Sequence, residues 1–202
     1  MNNIYLSILI YASMATNLFA DAEATNVSLQ EKTNFYAGGA INYARAYEKS
    51  DGIFSRTDND TQDVTAGLTA IIGYKNLFDD QIKNKDFSFD IEGRFSKSLI
   101  QEDFSKTSSY SIFLKPKYSF EKDFNAYLLL GMGQVIIDGK SEGTLLDETS
   151  FQWGLGLNYQ LANNLTTFID YTSLIQDSDA KVYNKLSNDA INIGLTYHFN
   201  IQ

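Results

Sequence analysis

The sequence lacks cysteine and contains one histidine and one proline among its 202 residues. Without cysteine it can form neither a disulfide scaffold nor a thiolate-bound metal site. The single histidine, His198, excludes a histidine-rich zinc site and gives little basis for a Ser-His-Asp triad. The formal net charge of −9 argues against a nucleic-acid partner. We therefore predict no cofactor, no metal site and no nucleic acid.

Aromatic residues, in contrast, are abundant. The chain holds 14 Phe, 13 Tyr and 1 Trp, together with 13 Gly. This composition is unusual for a helical protein and typical of sheets that are rich in aromatic side chains. The length fits one domain with enough chain to bury a core.

The first part of the chain has the layout of a targeting segment. Residues 4–20 form an uncharged, mostly apolar run, followed by Ala-Asp-Ala and Ala-Glu-Ala, both small-x-small cleavage patterns. The run is near the lower length limit for a transmembrane helix, which leaves an uncleaved anchor as the alternative. We predict a cleaved signal peptide over residues 1–22 and a polar leader over residues 23–33.

Strict alternation of apolar and polar residues recurs along the rest of the chain. In residues 151–161, Phe, Trp, Leu and Tyr fall on one face, and Gln, Gly and Asn fall on the other. A period of two over this length predicts a β-strand with one apolar face. The same pattern predicts eight strands, at 34–47, 64–74, 87–96, 109–120, 125–137, 151–161, 165–175 and 191–199.

The connections between these segments differ in length. Long connections are predicted at 48–63, 97–108, 138–150 and 176–190, and they alternate with 75–86, 121–124 and 162–164. This order places the four long connections at one end of an antiparallel meander. Pro116 falls inside a predicted strand, where it removes a ladder donor, so we predict a local bulge there.

The polar faces indicate which way the sheet closes. A soluble lipocalin-like barrel has its apolar face inside, around a ligand, whereas a membrane barrel turns that face to lipid. Here the polar faces combine small residues with three acids and three bases, as a crowded interior requires. We predict an interior polar cluster of Asp90, Glu92, Arg94, Lys115, Lys117 and Asp170. It would act as a salt-bridged plug, or alternatively it would line a narrow pore.

Aromatic residues also gather near the predicted strand ends, as in the two girdles of an outer-membrane barrel. One girdle would contain Tyr74, Phe87, Phe120, Tyr159, Tyr197 and Phe199. The other would contain Tyr47, Phe95, Tyr110, Phe151, Trp153 and Tyr171.

The end of the sequence carries the most specific motif. Asn192, Gly194, Tyr197 and Phe199 occupy the fixed positions of a polar-x-Gly-x-x-apolar-x-aromatic pattern. With this motif, residues 34–199 resemble the small eight-stranded outer-membrane β-barrel family of the opacity-protein and OmpA-barrel type, and residues 200–202 follow as a tail. The resemblance implies an all-β fold, an eight-stranded antiparallel up-and-down transmembrane β-barrel in the outer membrane of a Gram-negative bacterium. It also implies periplasmic termini, recognition of the C-terminal motif by the barrel-assembly machinery, and contact with outer-membrane lipid and lipopolysaccharide.

Three functions are compatible with such a barrel. The first is a structural or surface-interaction role of a monomer whose extracellular loops contact an extracellular protein or surface ligand. The second is a narrow porin-like channel for small solutes. The third is a lipid A-modifying enzyme, which in the related enzyme families needs a histidine with serine and an acid near the outer leaflet. His198 lies instead at the periplasmic end, without a His-x-Ser pattern, so we predict a structural histidine and no enzyme.

The first long connection, 48–63, contains a candidate calcium-binding motif and an apolar pair. Asp58, Asn59 and Asp60 hint at calcium, but the glycine and distal glutamate of an EF-hand are missing, which favours a solvated acidic loop. Ile53 and Phe54 form an apolar pair that would contact either a partner or the barrel rim.

Overall fold

A computed structural model describes residues 34–48, 62–78, 86–101, 105–139, 143–178 and 186–199 of the chain. The predicted signal peptide, the polar leader and the tail lie outside these ranges. So do Asp58–Asp60 and the pair Ile53 and Phe54.

The described residues form eight β-strands in antiparallel order. Each strand pairs with the next, and β1 pairs with β8, so the sheet closes on itself. The predicted all-β eight-stranded antiparallel barrel is confirmed. Within the described ranges, no helix is long and apolar enough to cross a membrane. The strands are β1 (Phe35–Glu48), β2 (Gln62–Tyr74), β3 (Phe87–Gln101), β4 (Ser105–Glu121), β5 (Phe124–Gly139), β6 (Gly143–Ala162), β7 (Leu165–Ser178) and β8 (Leu186–His198).

The connections between the strands distinguish two ends of the barrel, the turn end and the loop end. The turn end contains connections 75–86, 122–123 and 163–164, together with the start of β1 and the end of β8. The loop end contains the connections after β1, β3, β5 and β7. This arrangement follows from an even number of antiparallel strands, which returns the chain to the end where it began.

Three of the predicted long connections are wrong over most of their length. In the connection predicted at 176–190, β7 continues to Ser178 and β8 begins at Leu186. β3 continues to Gln101 and β4 begins at Ser105, so most of the predicted connection 97–108 is strand. β6 begins at Gly143, and residues 143–150 are therefore also strand. These segments still pair, as in Lys97 with Ser108 and Ile137 with Leu146. Alternation detects only the part of a strand that faces lipid, whereas the hydrogen-bonded ladder continues beyond it.

Pro116 does not produce the predicted bulge. The register between β4 and β5 is the same on both sides of it, at Leu114 with Leu130 and at Lys117 with Tyr127. The register shift lies further along, between Ser119 and Glu121, next to the turn. Pro116 keeps its partner Phe89 in β3, so the missing N–H is accommodated on one side of the strand only.

Apolar side chains cover the outside of the barrel. Alternate residues differ sharply in exposure, as Ile112 is 64% exposed and its neighbour Phe113 is 1% exposed. Polar side chains such as Asp90, Glu92 and Gln152 are buried inside. A soluble lipocalin-like barrel would bury its apolar face, so this alternative is wrong.

Aromatic residues form belts around the outside at two levels. At the turn end, the ring pairs are Phe35 with Tyr74, Phe87 with Tyr118, Phe120 with Phe124, Phe124 with Tyr159, and Tyr197 with Phe199. Toward the loop end, Phe95 packs on Tyr110 and Trp153 on Tyr171. The side chain of Tyr47 lies outside the described part. Such belts are typical of the two interfaces of a membrane barrel.

The interior is not polar throughout. Toward the loop end, buried apolar residues from five strands pack into one cluster: Ala44, Val135, Ile137, Leu146, Leu174, Ile175 and Ala190. The barrel interior therefore contains an apolar layer at this level. Most of the cluster lies in predicted strands, but Leu146 and Ala190 lie in segments that the sequence analysis assigned to connections.

Candidate functional site

The six charged residues of the predicted interior cluster all point into the barrel. Strand alternation places Asp90, Glu92 and Arg94 on the inner face of β3, Lys115 and Lys117 on that of β4, and Asp170 on that of β7. Five of the six are buried, and the Lys117 side chain is 13% exposed. The structure brings them into two groups, one at the centre of the barrel around Arg94 and one nearer the turn end around Asp90.

Arg94 is the centre of the first group. Its Nη1 and Nη2 donate to the two oxygens of Asp170 at 3.0 and 2.7 Å, and its Nε donates to Glu92 Oε1 at 2.7 Å. A bidentate pair of this kind fixes the planes of both side chains. One guanidinium therefore links β3 to β7 through the barrel interior.

Glu92 extends the group to two further strands. Its Oε2 accepts a hydrogen bond from Lys115 Nζ at 2.7 Å and another from the Tyr36 hydroxyl at 2.7 Å. With Arg94 on the other oxygen, both carboxylate oxygens are occupied. Glu92 thus joins β3 to β4 and β1.

Asp170 completes the group. The Tyr127 hydroxyl donates to its Oδ2 at 2.7 Å, and Asn192 Nδ2 donates to its Oδ1 at 2.8 Å. Thr69 in turn donates to Asn192 Oδ1 at 3.3 Å, which brings in β2. The charge network, defined as Arg94, Glu92, Asp170, Lys115 and their partners Tyr36, Tyr127 and Asn192, therefore connects six strands, and Thr69 adds a seventh.

Buried aromatic rings enclose the cations of this network. The Lys115 ammonium lies 4.1 Å from the centroid of the Tyr127 ring. The Arg94 guanidinium lies 5.8 Å from the Phe113 centroid and 5.7 Å from the Phe168 centroid. Cation–π contacts gain strength where water is excluded, so these rings stabilise the cations.

Two glycines make room for the tyrosines of the charge network. A Cβ atom on Gly73 would overlap the ring of Tyr36, and a Cβ atom on Gly156 would lie 2.5 Å from Tyr127 Cζ. The absence of a side chain at each position lets a large ring cross the interior. This explains why glycine and tyrosine occur together on the inner faces of a narrow barrel.

The second group lies nearer the turn end. Lys117 Nζ donates to Asp90 Oδ2 at 2.7 Å, and the Asn76 N–H donates to Asp90 Oδ1 at 3.2 Å. Lys117, Asp90 and Asn76 all line a cavity of about 430 Å³. The cavity also contacts Lys75, Lys122 and His198. We call this cavity the turn-end vestibule.

The residues of the C-terminal motif do different things in the folded barrel. Asn192 is buried within the charge network, and Gly194 lies where a Cβ atom would overlap the β1 backbone at Gly39. Tyr197 is exposed on the outer face, and its ring centroid lies 5.3 Å from that of Phe199. Recognition of this motif by an assembly machinery stays a prediction.

His198 sits at the turn end, where its Nε2 is 3.0 Å from the Thr166 hydroxyl oxygen. Its ring packs against that of Tyr36. No described aspartate or glutamate hydrogen-bonds to it, and no group of three metal-binding side chains occurs in the described residues.

Sequence reasoning missed the neutral members of the charge network. Tyr36 and Tyr127 read as further aromatic residues among 28, although their positions in the alternation place them on the inner face. Their inward position in the alternation could have identified them, because a tyrosine that points into a small barrel needs a hydrogen-bond acceptor. The pairing partners were not predictable, since they depend on barrel closure.

The comparisons with known proteins agree with this architecture. The model of the outer membrane protein beta-barrel domain family matches residues 10–199. Neisserial surface protein A is similar in structure, at 13% identity and a TM-score of 0.54, over 83% of this chain and 98% of that chain. The N-terminal β-barrel domain of Pseudomonas aeruginosa OprF is similar at 13% identity and a TM-score of 0.50, over 84% of this chain and 100% of that chain.

The attachment invasion locus protein Ail of Yersinia pestis, solved with the heparin analogue sucrose octasulfate, is 20% identical, with a TM-score of 0.48, over 82% of this chain and 99% of that chain. No curated protein sequence matches. The family match covers most of the chain, and this family is one of the Gram-negative outer membrane. The chain therefore belongs to the outer membrane protein β-barrel family.

Proposed function

We propose that this barrel has a structural or surface-interaction role, carried by its loop end, and that its interior is closed. The loop end would face the cell exterior, and the turn end with both termini would face the periplasm. In this proposal the protein is a monomer and not an enzyme.

The charge network is the observation that carries the closed interior. Arg94, Glu92, Lys115 and Asp170 are each at most 7% exposed, and their charged atoms are paired at 2.7–3.0 Å. The apolar cluster around Val135 and Ile137 adds a second dry layer toward the loop end. An ion would have to separate paired charges and then pass apolar side chains, both of which are unfavourable.

The charge at the loop end supports the surface role and limits the chemical class of the partner that would bind there. Residues 48–63, 97–108, 138–150 and 176–190 hold fourteen acidic and seven basic residues. Complementary charge speeds encounter and suppresses wrong partners. A basic protein segment, or an anionic sugar bridged by divalent cations, therefore fits this end better than a bare polyanion does.

Planar-bilayer recording tests the closed interior. The purified wild-type protein is expected to give no steady single-channel steps. Regular steps of one size from the wild type would contradict the proposal. The double variant Glu92→Gln/Asp170→Asn, which removes both acids of the charge network, is expected to show more current than the wild type.

Orientation can be tested with single cysteines, because the natural chain has none. Lys106→Cys would place a thiol at the loop end, and Asn163→Cys would place one at the turn end; both native side chains are exposed. A membrane-impermeant maleimide is expected to label only the Lys106→Cys variant in intact cells and both variants in lysed cells. The reverse pattern would invert the proposed orientation.

A narrow channel is the second candidate function. The turn-end vestibule favours it, because this polar cavity extends from Lys122 at the β4–β5 turn to Lys115 in the charge network. In a channel, opening of the Glu92 ion pairs would be the gating step. Voltage-dependent steps that disappear in Arg94→Met would support this function over the closed barrel.

A further inference from the structure

We propose that the turn-end vestibule binds a small soluble oxyanion of the phosphate class. The vestibule is a cavity of about 430 Å³ at one end of the barrel interior. Its lining includes Lys75, Lys117, Lys122, Asn125, Asn158 and His198. Binding there requires neither conduction nor a loop partner, so this inference stands independently of the proposed function.

The charge of the lining is opposite to that of the whole chain. Four lysines and one carboxylate, Asp90, line the vestibule, although the chain carries a net charge of −9. Lys115 is paired with Glu92 and Lys117 with Asp90. None of the described carboxylates forms an ion pair with Lys75 or Lys122. Two ammonium groups are therefore free to meet an anion.

The surroundings of Lys75 indicate an excess of positive charge. Burial, together with the nearby Lys117 and Lys115 and against the opposing effect of Asp90, lowers the pKa of the Lys75 ammonium to about 8. Lys122, His198 and Tyr36 complete the titratable groups that line the cavity. An anion placed among these groups would relieve their repulsion.

Neutral groups supply hydrogen bonds as well. Asn125 Nδ2 donates to Asn158 Oδ1 at 2.7 Å, which holds two amides at the wall of the cavity. The Nδ1 atom of His198 is buried and has no hydrogen-bond partner in the described part of the chain. When the Thr166 hydroxyl donates to Nε2, Nδ1 carries the proton and can donate to a ligand.

The lining favours a soluble anion over a lipid headgroup. Nearly all of the side chains around the vestibule are polar, with Tyr36 and Phe87 as its aromatic members. The apolar belt that suits acyl chains, including Phe124 and Tyr159, lies on the outer surface. A lipid could reach the vestibule with its headgroup only by leaving its chains outside the barrel wall.

Calorimetric titration with inorganic phosphate tests the proposal on the purified protein in zwitterionic detergent. We expect saturable binding of one phosphate per barrel, weakened at least about tenfold in Lys75→Gln. The Lys97→Gln variant is the matched control, because Lys97 is exposed on the outer face near the loop end. Asp90→Asn is expected to tighten binding, since it releases Lys117 from its ion pair.

A pH series with sulfate, whose charge is constant, adds a second readout. Affinity is expected to fall as the pH rises from 7 to 9 and Lys75 loses its proton, and Lys75→Gln should flatten that dependence. Heat-modifiable gel migration confirms that each variant is folded, and Lys122→Gln replaces Lys75→Gln if the latter does not fold.

Three results would overturn the proposal. The first is no saturable binding to the wild type. The second is an equal loss in Lys97→Gln, which would indicate a diffuse charge effect. The third is displacement of phosphate by phosphatidylglycerol but not by phosphatidylcholine in the micelle, which would assign the vestibule to a lipid headgroup.

Discussion

The guanidinium of Arg94 donates to both carboxylate oxygens of Asp170, at 3.0 and 2.7 Å, and this contact joins β3 to β7 across the barrel interior. Both side chains are almost fully buried. Burial raises the cost of losing either partner, since the remaining charge has no access to water.

Removal of one partner should therefore destabilise the barrel strongly. We expect Arg94→Met to lower the free energy of unfolding by about 3–5 kcal/mol, because Asp170 loses its bidentate partner. Urea unfolding in detergent micelles measures it. Arg45→Met is the control, since Arg45 is half exposed and 4.0 Å from Asp189, and it should cost about 1 kcal/mol or less. Equal losses in both variants would contradict a special role of the buried pair.

Glycine positions on the two faces of the barrel should differ in tolerance. Gly73→Val is expected to abolish folding, because even a Cβ atom overlaps the Tyr36 ring. Gly93→Ala faces outward, where the nearest atom to a new Cβ, Ile72 Cγ2, is 3.5 Å away, and it should change stability by only about 0.5 kcal/mol. Heat-modifiable gel migration distinguishes them. A folded Gly73→Val barrel would show that Tyr36 can leave its place.

The lipid-facing surface should respond to charge according to depth. Ile112 lies between the two aromatic belts, and Ile112→Lys is expected to cost about 2–4 kcal/mol. Leu99 lies beyond the Phe95–Tyr110 belt, so Leu99→Lys should cost about 0–1 kcal/mol. Unfolding in lipid vesicles measures both. A large loss in Leu99→Lys would place the membrane boundary nearer the loop end.

Lys75 should make stability depend on pH in the alkaline range. Its pKa is about 8 in the folded barrel, against an ordinary value of 10.5, so the unfolded chain binds more protons between these values. The stability of the wild type relative to Lys75→Met should therefore rise from pH 8 to pH 10.5. Parallel urea titrations without phosphate or sulfate measure it. A flat difference would show that Lys75 is solvated.

The C-terminal motif should act in assembly more than in stability. Phe199→Ala is expected to reduce the heat-modifiable form in cells severalfold while leaving the refolded protein nearly as stable as the wild type. Phe35→Ala is the control, because Phe35 is an exposed aromatic residue at the same end and packs against Tyr74. Equal assembly of the two variants would contradict recognition of the motif.

Much of this fold followed from alternation alone. The face of each strand was predictable, because residues such as Leu155 and Gly156 differ in both size and polarity. The ends of the strands were not predictable. Residues 143–150, for example, continue the hydrogen-bonded pairing of β6 with β5 without an apolar outer face. The charged residues of the interior could be identified. Their pairing could not, because Arg94 and Asp170 are 76 residues apart and meet only across the closed barrel.

The pairing of β1 with β8 also limits when the protein can be completed. Tyr36 pairs with His198, near opposite ends of the described chain, and no other strand can cover that side of β1 in the closed sheet. Contacts so distant in sequence form late in folding. β1 therefore cannot complete its pairing until β8 is present, so the barrel can close only after the whole barrel sequence has reached the membrane. Until β1 and β8 pair, both strands have an unpaired edge, and unpaired strand edges favour association with other chains.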